Sequence, residues 1–302
     1  MNEIEWEIDF LQGKILKGIG GLYHVMDTEG NIHLLRAQGK FRRERIKPLA
    51  GDEVDIQPGV GEEEGWITAI HPRRTVLVRP PVANIDSVLI IAAAASPDPD
   101  LAMMDRLIFN ARLAGITPLM AVTKTDLDRE MADEIVRQFS GADVAVTAVC
   151  VRTGEGIDGL RSLLRGRVHA LAGQSGAGKS TLINALYGLE LETGEISYKI
   201  GRGKNTTRSC ELIPVEGGGM VLDTPGFSLL ESPLIEPEKV KDYYPELLPY
   251  EGQCFFKPCM HAHEPRCGAR DAVAEGIINP ERHRRYVEFL EETKKRWNER
   301  YG

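Results

Sequence analysis

The chain lacks a long hydrophobic segment and an excess of positive charge. None of its 302 residues lies in an apolar run close to the roughly 18 residues that span a membrane. The N-terminal segment Met-Asn-Glu-Ile-Glu-Trp-Glu is acidic and has no signal-peptide core. We therefore expect a cytoplasmic protein that does not associate with membranes. The net charge of −8 argues against a broadly basic surface for nucleic acid. Basic residues do cluster between Arg36 and Lys47, but a solvated loop also explains that run.

Cysteine is scarce, and its distribution argues against a disulfide framework. Three of the five cysteines fall within fourteen residues, and an odd local count in a reducing compartment disfavours disulfides. Thiols together with an imidazole form the ligand set of a tetrahedral structural zinc site, here Cys254, Cys259, His261 and Cys267. We predict one structural zinc ion at this cluster. Free buried thiols are the alternative, His263 is a spare imidazole, and Cys150 and Cys210 are isolated.

Aromatic residues make up only 6% of the chain, and the N-terminal part contains few of them. Short apolar segments there are separated by Gly, Asp and Asn, which predicts five strands. These strands are Gln12–Gly18, Leu22–Met26, Ile32–Ala37, Asp52–Ile56 and Gly65–Ile70. Five strands over about sixty residues favour an OB-type barrel, with an SH3-like barrel as the alternative. Tyr23 and Trp66 are the aromatic candidates on its face, so base stacking is weakly indicated.

After Arg79-Pro80-Pro81, apolar strands alternate with helical stretches, which predicts a mostly parallel sheet covered by helices. The predicted strands are Ser87–Ala94, Thr117–Val122 and Asp143–Val149, and the predicted helices are Met103–Ala114, Glu130–Phe139 and Ile157–Leu164. The last 65 residues contain the Cys/His cluster and a helix that opens at Asn279 and Pro280. The apolar stripe of that helix is expected to face a core and consists of Tyr286, Phe289, Leu290 and Trp297.

This organisation predicts a multidomain chain with three parts. Residues 1–76 form an all-β OB-type barrel, and residues 77–232 form an α/β P-loop domain. Residues 233–302 form a mostly helical zinc-binding domain.

A phosphate-binding loop with the spacing G-x-x-x-x-G-K-[ST] follows the apolar strand Val168–Ala172 and precedes the helical stretch Thr181–Tyr187. Its glycines let backbone N–H groups face phosphate oxygens. Lys179 is expected to reach the β- and γ-phosphates, and the Ser180 hydroxyl to ligate Mg²⁺. The residues of this candidate site are Gly173, Gln174, Ser175, Gly176, Ala177, Gly178, Lys179, Ser180 and Thr181.

Two further strand ends favour a guanine nucleotide, GTP or GDP. The strand ending at Asp223 continues to Gly226 as D-x-x-G, in which the aspartate would hold magnesium through water and the glycine N–H would sense the γ-phosphate. Another strand ends in T-K-x-D, formed by Thr123, Lys124, Thr125 and Asp126. The Asp126 carboxylate would accept hydrogen bonds from guanine N1–H and the 2-amino group, a donor pair that adenine lacks. Lys124 would pack over the ring.

Neither guanine-reading segment is decisive by itself. T-K-x-D also suits a solvated turn, and Thr123 stands where Asn is usual, which is expected to loosen the loop without abolishing base reading. Cys150 and Val151 stand where many GTPases have Ser-Ala, whose backbone N–H contacts guanine O6. An ordinary strand-to-helix loop is an equally good interpretation of that segment.

The order of these motifs is unusual, because the base readers precede the phosphate loop and D-x-x-G comes last. The same sheet can result if the chain is cut and rejoined at another loop, which proteins tolerate where termini lie close together. We therefore predict a circularly permuted GTPase domain. Switch II then leads within a few residues into the C-terminal region, so movement at Gly226 could pull on that region.

The assembled pattern resembles the circularly permuted small-ribosomal-subunit-dependent GTPase A family over nearly the whole chain. The segments that carry the resemblance are Gly173–Thr181, Gly201–Arg208, Asp223–Phe227 and the Cys/His cluster. The resemblance implies GTP hydrolysis stimulated by the 30S subunit, with 16S rRNA as the contact and a checkpoint role in late subunit maturation. Nothing in the sequence indicates a dimer, so we expect a monomer.

The resemblance also implies roles for residues between the phosphate loop and D-x-x-G. Thr206 and Thr207 look like the switch I pair, with Thr207 as the magnesium ligand. Phe227 stands where many GTPases place the glutamine that orients water, so intrinsic hydrolysis should be slow. Asn205 replaces the histidine usual in the family, and an amide can bind the attacking water but cannot titrate.

Two other functions are compatible with parts of the pattern. A P-loop kinase or ATPase acting on a small metabolite would show no guanine selectivity. A non-catalytic RNA-binding module with structural nucleotide would release no phosphate.

Overall fold

The structure is a computed structural model that describes residues 11–59, 64–78, 80–189, 210–223 and 232–301. These residues form two compact units. The first unit takes in the described parts of 1–86, 165–170 and 195–227, and the second those of 87–164, 171–194 and 228–302. Within the described ranges, no helix combines the length and apolar character needed to cross a bilayer.

The N-terminal part of the first unit is a closed five-stranded barrel with the strand order β1-β2-β3-β5-β4. The strands are β1 Leu11–Ile19, β2 Leu22–Asp27, β3 Ile32–Ala37, β4 Glu53–Gln57 and β5 Gly65–Ile70. Neighbours pair antiparallel except β3 and β5, which are parallel. Residues that alternate along the strands fill the interior, including Ile15, Val25 and Ile67. The OB-type prediction is confirmed, with strand ends shifted by at most one residue.

A short helix, α1 (Gly39–Arg43), lies in the basic run between β3 and β4. Phe41 is buried and joins the barrel core, whereas Arg42 and Arg43 are exposed. The run therefore has one apolar anchor that holds its basic side chains on the surface. The sequence interpretation as a loop missed this helix.

The first unit also contains a hairpin, the first half of β11, and the whole of β12 and β13. β6 (Val76–Val78) pairs antiparallel with β7 (Pro81–Ala83). β11 (Val168–Gly173) runs parallel to β13 (Gly219–Asp223), and β12 (Glu211–Val215) pairs antiparallel with β13. The sequence interpretation missed β6, β7 and β12.

The second unit begins with three parallel strands covered by helices. The elements in chain order are β8 Ser87–Ala93, α2 Leu101–Leu113, β9 Thr117–Thr123, α3 Arg129–Phe139, β10 Ala145–Ala148 and α4 Ile157–Leu164. All of β8 is buried, as expected for a strand covered on both faces. Asp100 and Asp128 cap α2 and α3, because their carboxylates accept from Met103 N–H and Met131 N–H.

The six strands β8 to β13 lie in one sheet with the order β10-β9-β8-β11-β13-β12. A short loop connects β11 to the helix α5 (Lys179–Tyr187). The prediction of a mostly parallel α/β sheet is confirmed. The predicted domain limits at residues 76 and 232 stay predictions.

The C-terminal part of the second unit is mainly helical. It contains 3₁₀ helices at Pro237–Tyr243, Leu248–Tyr250 and Glu299–Tyr301, and the helices α6 Gly268–Ala274 and α7 Pro280–Asn298. Asn279 caps α7 by accepting from Arg282 N–H at 3.1 Å, as the sequence predicts. Tyr286, Phe289 and Leu290 are buried in an aromatic core with Phe109 of α2, whereas Trp297 is half-buried.

A buried ionic cluster connects α2 to α7. Asp105 of α2 pairs with both Arg282 and Arg285 of α7, and the three side chains are at most 6% exposed. Glu246 pairs with Arg282, and the Gln138 amide oxygen accepts from Arg285 at 2.6 Å. Such a cluster is costly to desolvate, so each member depends on the others for compensation.

The Asp105→Ala variant should lose about 3–5 kcal/mol of unfolding free energy, because it leaves two buried arginines without their shared carboxylate. Guanidinium unfolding followed by circular dichroism measures this loss. Asp133→Ala is the control, since that carboxylate is 61% exposed in an ion pair with Arg129, and its midpoint should barely move. Equal midpoints for the two variants would show that the cluster contributes nothing to stability.

Candidate functional site

The phosphate loop lies between β11 and α5 in the conformation that its glycines allow. Gly173, Gly176 and Gly178 have φ values of 137°, 79° and 88°. A Cβ on Gly173 would lie 2.2 Å from the Ile91 carbonyl oxygen, so no other residue fits there. Gly178 is the residue before α5, and the helix begins at Lys179. The N-terminus of a helix therefore opens directly behind the loop, which favours anions.

Lys179 is folded over the loop that precedes it. Its ammonium donates to the Gly173 carbonyl at 3.0 Å and to the Gln174 carbonyl at 2.7 Å. Burial lowers the pKa of Lys179. A phosphate group beside the ammonium would favour its charged form, so the position suits phosphate contact. Ser180 is buried in the first helical turn, whereas Ser175 and Thr181 are exposed.

The T-K-x-D turn touches this loop through two side chains. The Thr123 hydroxyl at the end of β9 donates to the Ala177 carbonyl at 2.7 Å. The Lys124 ammonium donates to the Gly176 carbonyl at 2.9 Å and also bonds the Ser96 carbonyl. Lys124 itself has a φ of 57°, unusual for a residue other than glycine. Two motifs that are distant in sequence are thus held together by hydrogen bonds.

Asp126 lies at the open side of the same turn, against the loop that follows β10. Its carboxylate is 3.1 Å from the Arg152 Nε and 3.4 Å from the Cys150 sulfur. Thr125 is buried and its hydroxyl is 3.5 Å from the Val149 carbonyl. Val151 is half-buried. The faint base-contact segment predicted at Cys150 and Val151 therefore lies beside the predicted guanine reader.

The loop that follows β8 is a functional neighbour that sequence reasoning missed. The Gln174 side chain donates to the Asp98 carbonyl and accepts from the Asp100 N–H, both at 3.0 Å. Gln174, at a position that the motif leaves open, thus fastens the phosphate loop to the segment leading into α2. Arg152 was missed as well, since an exposed arginine in a loop carries no motif.

The remaining predicted magnesium and switch residues are less fully described. Asp223 is the last residue of β13 in the first unit. Asn205, Thr206, Thr207, Gly226 and Phe227 lie outside the described residues.

The Cys/His cluster is assembled in the aromatic core of the C-terminal part. One ligand atom from each residue lies within 4.8 Å of the others, and all four residues are buried: Cys254, Cys259, His261 and Cys267. The His261 Nδ1 is 3.3 to 3.6 Å from the three sulfurs. Burial raises the pKa of the Cys259 thiol to about 12 and also raises that of Cys267. Soft thiolates with an imidazole fit zinc, whose binding would displace these protons.

The other nitrogen of His261 is held from outside the cluster. Its Nε2 is 3.4 Å from a Glu251 oxygen, and Lys241 donates to the same oxygen at 2.6 Å. The hydrogen bond with Lys241 lowers the pKa of Glu251. Lys241 also donates to the Cys259 carbonyl at 3.0 Å. A carboxylate behind the imidazole fixes the ring orientation that presents Nδ1 to the sulfurs.

Comparison with known proteins shows the family of this chain. The family model described as RsgA GTPase matches residues 70–233. The chain belongs to the RsgA GTPase family. The model for the RsgA N-terminal domain matches residues 12–67. The predicted family, GTPase activity and barrel are confirmed, so a metabolite kinase is no longer an alternative.

Curated relatives are similar over nearly their whole length. A protein of Caldanaerobacter subterraneus named small ribosomal subunit biogenesis GTPase RsgA is 41% identical over 293 residues, which is 96% of this chain and 98% of the relative. A protein of the same name from Moorella thermoacetica is 43% identical over 286 residues, which is 93% of this chain and 97% of the relative.

Solved structures share the fold over nearly the whole chain. YjeQ from Thermotoga maritima matches with a TM-score of 0.81 and 31% identity, over 94% of this chain and 99% of that chain. YloQ, described as a circularly permuted GTPase, matches with a TM-score of 0.80 and 30% identity, over 98% of this chain and 99% of that chain. The predicted circular permutation is confirmed.

We predict about one equivalent of zinc in the purified protein. The Cys259→Ser variant should lose this zinc, and its C-terminal part should become disordered as a result. Metal analysis and limited proteolysis measure the two effects. His263→Ala is the control, because that side chain is 72% exposed and should leave the zinc content unchanged. Full zinc retention in Cys259→Ser would reject this ligand assignment.

Proposed function

We propose that this chain is a GTP-hydrolysing assembly factor that binds the 30S ribosomal subunit and acts as a checkpoint in its late maturation. The contact of Thr123 and Lys124 with the phosphate loop carries the nucleotide part of the proposal, because it brings a base-reading turn next to a phosphate site. The names of the relatives support the ribosomal part. The protein works in the cytoplasm as a monomer.

Each motif has a defined task in this proposal. Backbone N–H groups of the phosphate loop and the Lys179 ammonium bind the β- and γ-phosphates. The Asp126 carboxylate accepts from guanine N1–H and the 2-amino group. Val151 offers its N–H to guanine O6, and Cys150 supports the loop. Gly226 senses the γ-phosphate through its N–H.

Magnesium would be held by the oxygen donors of Ser180, Thr207 and Asp223. The Ser180 hydroxyl fits this role because it follows Lys179 in the first turn of α5. The ion supplies positive charge that offsets the charge of the transferring phosphoryl group. Thr206 completes the switch pair.

Hydrolysis requires a water molecule to attack the γ-phosphorus, giving GDP and phosphate. Phe227 has no group that can orient this water, and Asn205 can hold it but cannot accept its proton efficiently. Turnover in the free protein should therefore be slow, and the bound subunit completes the site. This arrangement makes hydrolysis report on subunit binding.

The zinc ion would be held by the three thiolates and His261, and it supplies a rigid crosslink for the C-terminal part. The barrel offers the surface best suited to 16S rRNA. Arg42, Arg43 and Arg45 are exposed around α1, and Trp66 is 41% exposed on β5. A local basic surface with an apolar face suits RNA despite the negative net charge.

Addition of 30S subunits should raise the GTP turnover rate by about tenfold or more, since the subunit supplies the missing stabilisation. Phosphate release at low salt, with and without purified subunits, measures this. The 50S subunit is the control and should leave the rate unchanged. Lys179→Ala should remove both basal and stimulated activity. A rate that is insensitive to 30S would defeat the proposal.

Asp126→Asn should weaken GDP binding by about a hundredfold or more, because the amide is uncharged, keeps one acceptor oxygen, and turns N–H donors toward the 2-amino group of guanine. The same variant should bind xanthosine diphosphate, since its amide can donate to the 2-carbonyl of xanthine. Competition against fluorescent GDP measures both affinities. Asp133→Asn on α3 is the control and should keep the wild-type preference. Unchanged nucleotide choice in Asp126→Asn would exclude this residue as the reader.

A further inference from the structure

The carboxylate proposed to read guanine already accepts contacts from its own chain at both oxygens. Asp126 Oδ1 is 3.4 Å from the Cys150 sulfur, and Asp126 Oδ2 is 3.1 Å from the Arg152 Nε. A guanine edge would use both oxygens, through N1–H and the 2-amino group. A carboxylate has about four lone-pair sites, so the internal contacts do not fill it, but a guanidinium beside Oδ2 competes with the base for the same charge and acceptor oxygens.

The two contacts differ in how easily they can be displaced. Cys150 is 1% exposed, and its backbone is fixed by a bridge to Glu155, with the Cys150 N–H donating at 2.9 Å. The Arg152 side chain is 75% exposed. The thiol is a permanent support that sets the carboxylate orientation, whereas the guanidinium can leave into solvent.

The chemistry of the displaced group matches that of the incoming one. The N1–C2–N2 edge of guanine is itself a guanidine unit, a planar carbon bearing N–H donors. An arginine side chain presents the same planar donor unit to a carboxylate. We propose that Arg152 is an internal substitute for guanine, which occupies Asp126 in the nucleotide-free protein and must be displaced before the base binds.

This makes Arg152 a residue that sets guanine affinity by competition. Only the molecules in which Asp126 is free of Arg152 can then bind the nucleotide. The apparent dissociation constant is the intrinsic one divided by the fraction of such molecules. An ion pair as exposed as this one changes an equilibrium by up to about fivefold. The effect should fall on the association rate, since the bound state no longer contains the pair. The inference rests on the guanine-reading role proposed for Asp126.

The direct test compares wild-type protein with Arg152→Ala in stopped-flow binding of fluorescent GDP. We expect association about two- to fivefold faster in the variant, dissociation unchanged, and a ratio that shrinks as salt rises. Arg137→Ala is the matched control, because Arg137 is 67% exposed and pairs with Glu134 on α3. It should bind GDP as the wild type does. Arg152→Lys keeps the charge but loses the planar donor unit. Its GDP association rate should lie between those of the wild type and Arg152→Ala.

Two results would overturn the inference. One is equal association rates in wild type and Arg152→Ala. The other is faster GDP dissociation in Arg152→Ala, which would mean that the arginine covers the bound base.

A double-mutant comparison separates this inference from the proposed function. In the Asp126→Asn background, binding of fluorescent xanthosine diphosphate should be the same with and without the Arg152→Ala substitution, because the carboxylate partner is gone. An Arg152→Ala effect that persisted there would also overturn it. Stimulation by 30S subunits is measured independently, so either idea can fail without the other.

Discussion

A hydroxyl-to-carbonyl hydrogen bond is the contact on which the proposed nucleotide site depends. Thr123 at the end of β9 donates to Ala177 in the phosphate loop at 2.7 Å, and Lys124 adds a bond to Gly176. The proposed base-reading turn and the phosphate loop follow different strands, so these bonds would fix the distance between base and phosphate. An asparagine amide has two N–H donors, whereas threonine has one. Here the Lys124 ammonium supplies the second hydrogen bond to the loop. The backbone of Lys124 is in the left-handed region, with a φ of 57°, which is a strained conformation for a residue other than glycine.

The phosphate loop has a neighbour that connects it to the C-terminal part. The segment that leads into α2 bonds the Gln174 side chain at Asp98 and Asp100. Farther along, α2 carries Asp105 and Arg106, which pair with α7. A single helix therefore connects the phosphate loop to the C-terminal helical part through hydrogen bonds at one end and ion pairs along its length. Because a helix moves nearly as a rigid body, a displacement of the phosphate loop would be passed through α2 to the C-terminal part.

Much of the fold could be predicted from sequence, because barrel strands alternate and parallel strands read as apolar runs. The phosphate loop and the cysteine cluster could also be placed, since glycine, thiol and imidazole carry chemistry at fixed spacing. α1 was missed because one apolar residue, Phe41, defines its buried side. The contacts of Arg152 and Gln174 could not be found, because they join exposed loops distant in sequence. The strand β12 was overlooked although Gly217 and Gly218 mark its hairpin turn.

The segment before α6 has little secondary structure of its own, so a metal at the cysteine cluster would help to hold its shape. Between Tyr250 and Gly268 the chain forms no regular helix or strand, yet its cysteines lie in the aromatic core. Protonated thiols contribute only weak hydrogen bonds there. The segment is tied to α7 by the Tyr286 hydroxyl on the Met260 carbonyl and by His283 on the His261 carbonyl. A metal crosslink at the cluster would therefore orient α7 as well, and with it the arginines that pair with α2.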